Sequence, residues 1–208
     1  MSYIPKDAVT QSFKSNKGVL TPNQIIELDN ENKFTKFGQL ELIETQNVTS
    51  AASNIDFLDL KEDVYREHLL TCNNVETLTD TRHLVAKFSN DGGATFETGS
   101  YINSYLSNNG AGGQAAGVNS FLQYLSSALG TGTNERGNGF VKFYNLGNSK
   151  HYGTCNSVFS DFNSSAAHQT SLGFAQRNVY ESVNAIRLTG HSSTTWKGSF
   201  SLYGVREY

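Results

Sequence analysis

Charge is scarce in this chain of 208 residues: Asp, Glu, Lys and Arg make up 17% of it, against about 25% in an average soluble domain. The formal net charge is −3 and no cluster of Lys or Arg occurs. That excludes a binder that tracks nucleic-acid phosphates through a basic patch. No run of 18 apolar residues is present, so no segment reads as a membrane-spanning helix. Met1–Lys6 has no apolar stretch after a basic start, so no secretory signal is expected. Cysteine is reduced to Cys72 and Cys155, each alone in its segment. Their spacing fits neither a zinc cluster nor a redox pair. Two buried free thiols are the expectation, as suits assembly in a reducing bacterial cytoplasm, with a bridge between them left open. Methionine occurs once, and proline only as Pro5 and Pro22.

Ser, Thr, Asn and Gly fill this space, with 81 residues between them, alongside 13 Phe and 10 Tyr. Turn formers mixed with aromatic and β-branched residues describe an all-β protein rather than a helical bundle. The length suffices for one core without staples. Residues 1–35 differ in texture. Thr21-Pro22-Asn23-Gln24 is a helix start: Thr21 caps, Pro22 suits the first helical position and Gln24 completes a capping box. Pro22, Ile25, Ile26 and Leu28 would give a short helix near 22–28 an apolar side, and Asn30-Glu31-Asn32 would end it. Too little apolar surface is present there for independent folding. Residues 1–35 are therefore expected to be an extended docking arm, and 36–208 a β-sandwich domain.

From Lys36 onward short strands alternate with turns. Strands are expected at 39–44, 51–60, 68–72, 83–88, 101–106, 140–144, 158–162, 172–174, 183–188 and 198–205. Gly110–Gly117 reads as a loop. Phe121–Leu129 fits helical spacing better than alternation, with a strand kept open. In the last two strands Ala185, Ile186, Leu188, Phe200, Leu202 and Val205 are expected to face the core, with Arg187 and Tyr203 outward. The whole is expected to be an antiparallel β-sandwich or jelly roll.

The sharpest local motif is Ser89-Asn90-Asp91-Gly92-Gly93-Ala94-Thr95-Phe96. It resembles the Asp-box hairpin of sialidases and other glycan-active proteins. In physical terms Asp91 can accept backbone amide bonds across the turn, the glycines can take positive φ, and Thr95 and Phe96 re-enter the sheet. Ser89, Asp91, Gly93, Thr95 and Phe96 are thus expected to be a structural turn. The motif occurs once, and a six-bladed sialidase propeller needs a longer chain. The five histidines, His68, His83, His151, His168 and His191, show no metal-ligand spacing. No nucleophile elbow and no phosphate loop exist. No catalytic residue, metal or cofactor is therefore assigned. Glu62, Asp63 and Glu67, among Lys61 and Arg66, read as a solvated face. Tyr101, Tyr105, Tyr124, Tyr144 and Tyr152 could stack on sugar rings, but in a sandwich most would be core or edge aromatics.

The stretch Val183-Asn184-Ala185-Ile186-Arg187-Leu188, followed by Trp196-Lys197-Gly198-Ser199-Phe200-Ser201-Leu202-Tyr203-Gly204-Val205, resembles the ending of a family of tailed-bacteriophage virion structural proteins. The strand at Phe88 followed by Asn-Asp-Gly-Gly-Ala-Thr-Phe also recurs in that family. The resemblance spans about residues 36–208. It implies a β-sandwich framework without catalytic residues and, with the arm, a non-enzymatic, surface-exposed virion protein. A capsid decoration or cement role is favoured over a tail appendage. Partners would be other capsid or tail proteins and copies of itself, as a dimer or trimer. The alternative is a glycan-binding tail module that recognises host surface sugars through loops at 98–120 and 145–170.

Overall fold

In the computed structural model, residues 40–99, 101–108, 113–119 and 123–205 are described, together with Asn23 and Ile26. For 113–119 and 123–124 only the backbone is described. The chain divides into two units, Met1–Gly38 and Gln39–Tyr208. Within the first, Asn23 and Ile26 are helical and Ile26 is exposed. Pro22, Ile25 and Leu28 lie outside the described residues.

The second unit is an antiparallel β-sandwich of twelve strands: β1 (Leu40–Ala52), β2 (Asn54–Phe57), β3 (Glu67–Thr77), β4 (Leu84–Ser89), β5 (Tyr101–Asn108), β6 (Gly113–Asn119), β7 (Gln123–Tyr124), β8 (Gly137–Tyr144), β9 (Thr154–Phe162), β10 (His168–Arg177), β11 (Ala185–Gly190) and β12 (Trp196–Val205). One sheet has the order β1-β12-β3-β8-β9-β10-β5-β6 and the other β2-β11-β4-β7. Eight of these strands form a jelly roll. They are β1-β12-β3-β8 facing β2-β11-β4-β7, and along the chain they alternate between the two sheets except at β4 and β7, which pair with each other in the smaller one. The remaining four are two hairpins, β5–β6 and β9–β10, inserted between the jelly-roll strands. Both hairpins join the same edge of the larger sheet and extend it from four strands to eight.

Period-2 alternation explains the core. Leu70, Cys72 and Val75 of β3, Val141 and Phe143 of β8, Phe200 and Leu202 of β12, and Phe88, Ile186 and Leu188 of the smaller sheet are all fully buried in one cluster. Phe88 lies at its centre, with ring centroids 5.9 Å from Phe143 and 6.2 Å from Tyr101. Trp196 is the largest buried side chain. Cys72 and Cys155 are free and buried on β3 and β9. Burial raises both thiols, Cys155 to about 12.

Four expectations need correction. Gly113–Asn119 is not a loop but the edge strand β6, paired with β5 from Tyr101↔Asn119 to Ser107↔Gly113. The segment 123–129 is not helical. It makes the two-residue strand β7 and then runs irregularly, with Leu125 N–H donating to Leu84 O (2.8 Å) and Leu129 N–H to Arg82 O (2.9 Å). Val205 is only partly buried. The alternation through Phe200 and Leu202 continues to Gly204, whose missing side chain leaves room for the Tyr65 ring. Thr95 and Phe96 do not form a strand after the turn. Only Glu97 N–H reaches back, to Phe88 O at 2.9 Å.

Candidate functional site

The turn Ser89–Phe96 is a closed hydrogen-bonding unit. Asp91 accepts from Ser89 Oγ (2.6 Å), Thr95 N–H (2.9 Å) and Thr95 Oγ1 (2.6 Å). These bonds, Ser89's first and Thr95's next, hold its carboxyl at about 2. Gly92 and Gly93 take φ of 73° and 86°, and Gly93 N–H donates to Ser89 Oγ at 3.0 Å. The Phe96 ring turns inward under Arg187, whose guanidinium carbon lies 4.0 Å from the ring centroid. Arg187 also grips Asp56 through two bonds of 2.7 and 2.6 Å. Asp91 thus spends bonds from both carboxylate oxygens on holding the turn's own chain.

Beside it, Arg177 is 1% exposed. It bonds Glu97 through Nε and Nη2, Glu181 Oε2 at 3.1 Å and the Glu181 carbonyl at 2.7 Å. Burial alone would push its guanidinium down, but the bonds to Glu97 and Glu181 more than offset this and hold its pKa up. Asn90 Nδ2 donates to Glu181 at 2.6 Å. Two carboxylates therefore share one buried cation in a network that ties Glu97 and Glu181 to β10, with Glu97 Oε2 left buried without a partner.

The extension of the large sheet carries the unusual chemistry. Its inner face mixes polar residues into the core: beside Tyr101, Tyr105, Cys155, Phe159 and Ala175, Asn103, Ser107, Ser157, Asp161, Gln169, Ser171 and Arg177 are all buried. Ser127, from the 125–129 segment, covers this layer. Its hydroxyl lies 2.8 Å from Tyr105 Oη and from Ser107 Oγ, and its N–H donates to Asp161 Oδ2 at 2.9 Å. Ser171 Oγ donates to Leu125 O at 3.2 Å. Asp161 Oδ1 has no partner, and burial raises this carboxyl to about 7 against the pull of Ser127.

The outer face of the same strands is apolar. Phe140, Val158, Leu172 and Leu106 stand in one rung across β8, β9, β10 and β5. Phe140 is 44%, Leu172 37% and Leu106 43% exposed. Phe174 (56%) and Ile102 (44%) extend the patch. Ser104, Asn156, Ser160 and Thr170 stand between them without charge, while Lys142, in the rung of Ser104, Phe174 and Asn156, is paired with Glu67. Singly scattered surface hydrophobics are ordinary; these stand in neighbouring positions of adjacent strands. Sequence reasoning missed this patch because alternation gives the spacing of two faces without saying which one faces inward.

Of the tyrosines considered as sugar platforms, Tyr101 and Tyr105 are buried. Tyr144 and Tyr152 are partly exposed, and the Tyr124 side chain lies outside the described residues. Tyr152 stacks on Tyr180 with centroids 4.2 Å apart. Ser160 Oγ lies 2.7 Å from His168 Nε2 on the outer face, but no third group orients that imidazole among the described residues. Glu67 pairs with Lys142 at 2.5 Å. Among the described residues no group of His, Cys, Asp and Glu is placed to hold a metal ion, and no helix is long and apolar enough to cross a membrane. The chain matches no family model, no curated protein and no solved structure.

Proposed function

We propose that this chain is a non-enzymatic structural protein of a tailed-bacteriophage virion. In this reading it is exposed on the particle, acts as a capsid decoration or cement protein, and uses residues 1–35 as an arm that docks it or links subunits. The observation that carries the reading is the uncharged apolar rung Phe140–Val158–Leu172–Leu106, with Phe174 beside it. A second copy of this chain is the occupant it fits. The rung itself carries no charge, and Lys142, in the next rung with Asn156 and Phe174, is paired with Glu67, so two such faces meet without burying an unpaired ion. The C-terminal motif resemblance supplies the virion context, and assembly in a reducing cytoplasm agrees with the two free thiols.

Reconstruction of intact particles by cryo-electron microscopy tests this. The expected result is density for the twelve-stranded sandwich on the particle surface, with the outer face of β8, β9, β10 and β5 against another copy. Particles without the protein would end the proposal, and a tail-tip location would move it to the appendage role. Deletion of residues 1–35 separates the arm from the domain: the truncated sandwich should stay folded and fail to incorporate, and incorporation at full level would remove the arm's role.

A further inference from the structure

Tyr152 and Tyr180 sit on two connections that the fold holds side by side. Tyr152 is in the segment 145–153 between β8 and β9, and Tyr180 in the segment 178–184 between β10 and β11. Two backbone bonds clamp these segments together. Arg177 N–H donates to Gly153 O and Val183 N–H to Leu146 O, both at 2.8 Å. Arg177 also bonds the side chain and the carbonyl of Glu181, which fixes the chain next to Tyr180. Held in this way, the two rings stack with centroids 4.2 Å apart and 18° between their planes. They are aligned head to head, because a hydrogen bond to the Tyr180 hydroxyl raises the Tyr152 phenol above its ordinary value. With rings and hydroxyls both adjacent, the carbons ortho to the two oxygens face each other across the stack.

The pair is also where an oxidant can reach. Tyr180 is 55% exposed and Tyr152 is partly exposed. Other easily oxidised side chains are sealed: Trp196, Cys72, Cys155 and Tyr101 are fully buried, and Tyr65 and Tyr105 are buried too. Burial keeps the thiols protonated, which removes the reactive thiolate. Tyr144 and Tyr203 are partly exposed, but neither stacks on a second tyrosine among the described residues.

We propose that Tyr152 and Tyr180 form an oxidative cross-linking site, at which a haem peroxidase using hydrogen peroxide joins the two rings by a carbon–carbon bond. The peroxidase takes one electron from each phenol and passes both to the peroxide. Each phenol releases its proton as well, which leaves two phenoxyl radicals. These combine at the facing ortho carbons. Each ortho hydrogen then moves as a proton to the oxygen of its own ring, and aromaticity returns. The protein loses two hydrogen atoms in all, and the peroxide becomes two waters. The new bond closes a covalent loop from 152 to 180 and staples the two connections. The cysteines, free and buried on β3 and β9, supply no such tie. The site concerns the isolated protein and does not rest on the virion reading.

Dilute full-length protein treated with hydrogen peroxide and a haem peroxidase, then denatured and digested with trypsin, tests this. Cleavage after Lys150, Arg177 and Arg187 yields peptides 151–177 and 178–187, each with one tyrosine, so a joined product identifies the pair. The monomer should become lighter by two hydrogen atoms, with these two peptides linked through Tyr152 and Tyr180. Tyr152→Phe and Tyr180→Phe keep both rings and should each lose the joined product. The linked wild type should melt at a higher Tm than Tyr180→Phe oxidised in parallel, because the closed loop restricts the unfolded chain. The proposal is overturned if no joined product forms while free tyrosine dimerises in a parallel reaction, or if either residue links mainly to a different tyrosine. Retention of the two-hydrogen loss by the Phe variants, or no rise in Tm, would also overturn it.

Discussion

Replacing Asp161 with Asn should change how stability depends on pH. Asp161 is 1% exposed under the 125–129 segment, with one oxygen bonded to Ser127 N–H and the other without a partner. Burial disfavours the ionised form, and the carboxyl rises from 3.8 to about 7. The sign follows from linkage. A carboxyl whose folded pKa exceeds its unfolded one contributes its full stability below the unfolded value. That contribution is lost as pH rises toward and through the folded value. Between pH 4 and pH 7 the loss runs at about 1.4 kcal/mol per pH unit, so about 4 kcal/mol separates the two ends, and above pH 7 the curve levels off.

Urea denaturation at 25 °C across pH 4 to 9 measures this directly if each wild-type value is subtracted from that of Asp161→Asn. The subtraction matters because His68 and His83, both lowered by burial, act in the opposite direction: their contribution is lost as pH falls below the ordinary histidine range. In the difference those effects cancel. The variant should gain on the wild type steadily from pH 4 to pH 7 and then hold a constant lead. Asn keeps an acceptor for Ser127 N–H, so any fixed offset from the substitution shifts the curve without tilting it. A flat difference, or a slope confined to pH above 8, would refute the reasoning that desolvation governs Asp161.

Three further outcomes are expected. Leu172→Ser with Phe174→Ser should leave Tm within a few degrees, because both side chains are exposed, yet abolish self-association by sedimentation or light scattering. Gly93→Ala should cost about 1–2 kcal/mol in denaturant unfolding, because φ of 86° is unfavourable for an L residue and the added methyl displaces the exposed Leu58 side chain. Phe143→Ala should cost about 3–5 kcal/mol, because the ring is fully buried against Phe88.

Most of the jelly roll was legible from the residues. Ile55 and Phe57, the run Leu84–Phe88, and the pair Phe200 and Leu202 show the expected alternation or apolar runs and are buried as expected. The arrangement failed to show where backbone or tertiary contacts outrank side-chain pattern. Gly-Gln-Ala-Ala-Gly at 113–117 has turn composition, and β6 exists because β5 offers a free edge whose amides and carbonyls it satisfies. Leu125 and Leu129 recur at helical spacing, yet bonds to Leu84, Arg82 and Asp161 draw their segment out along the sheet. The Asp-box turn was legible because its contacts are local; the departure at Phe96 was not, because Arg187 lies far along the chain.

In β5 and β10, two of the strands that extend the large sheet, polar residues are mixed into the buried face and apolar ones into the exposed face. A β-strand with one face on a core ordinarily turns its apolar residues inward. In β5 and β10 the inward residues include Asn103, Ser107, Gln169, Ser171 and Arg177, while Ile102, Leu106, Leu172 and Phe174 point out. Bonds from the 125–129 segment to Ser107 and Ser171, and from Glu97 and Glu181 to Arg177, help fix the register of this layer, with Asp161 Oδ1 left without a partner. The apolar face is thereby kept outside, where it contributes only if something covers it. A hairpin pair inserted into a jelly roll, tied by polar bonds on its inward side and presenting leucine and phenylalanine on the other, is the surface that the proposed assembly role would cover.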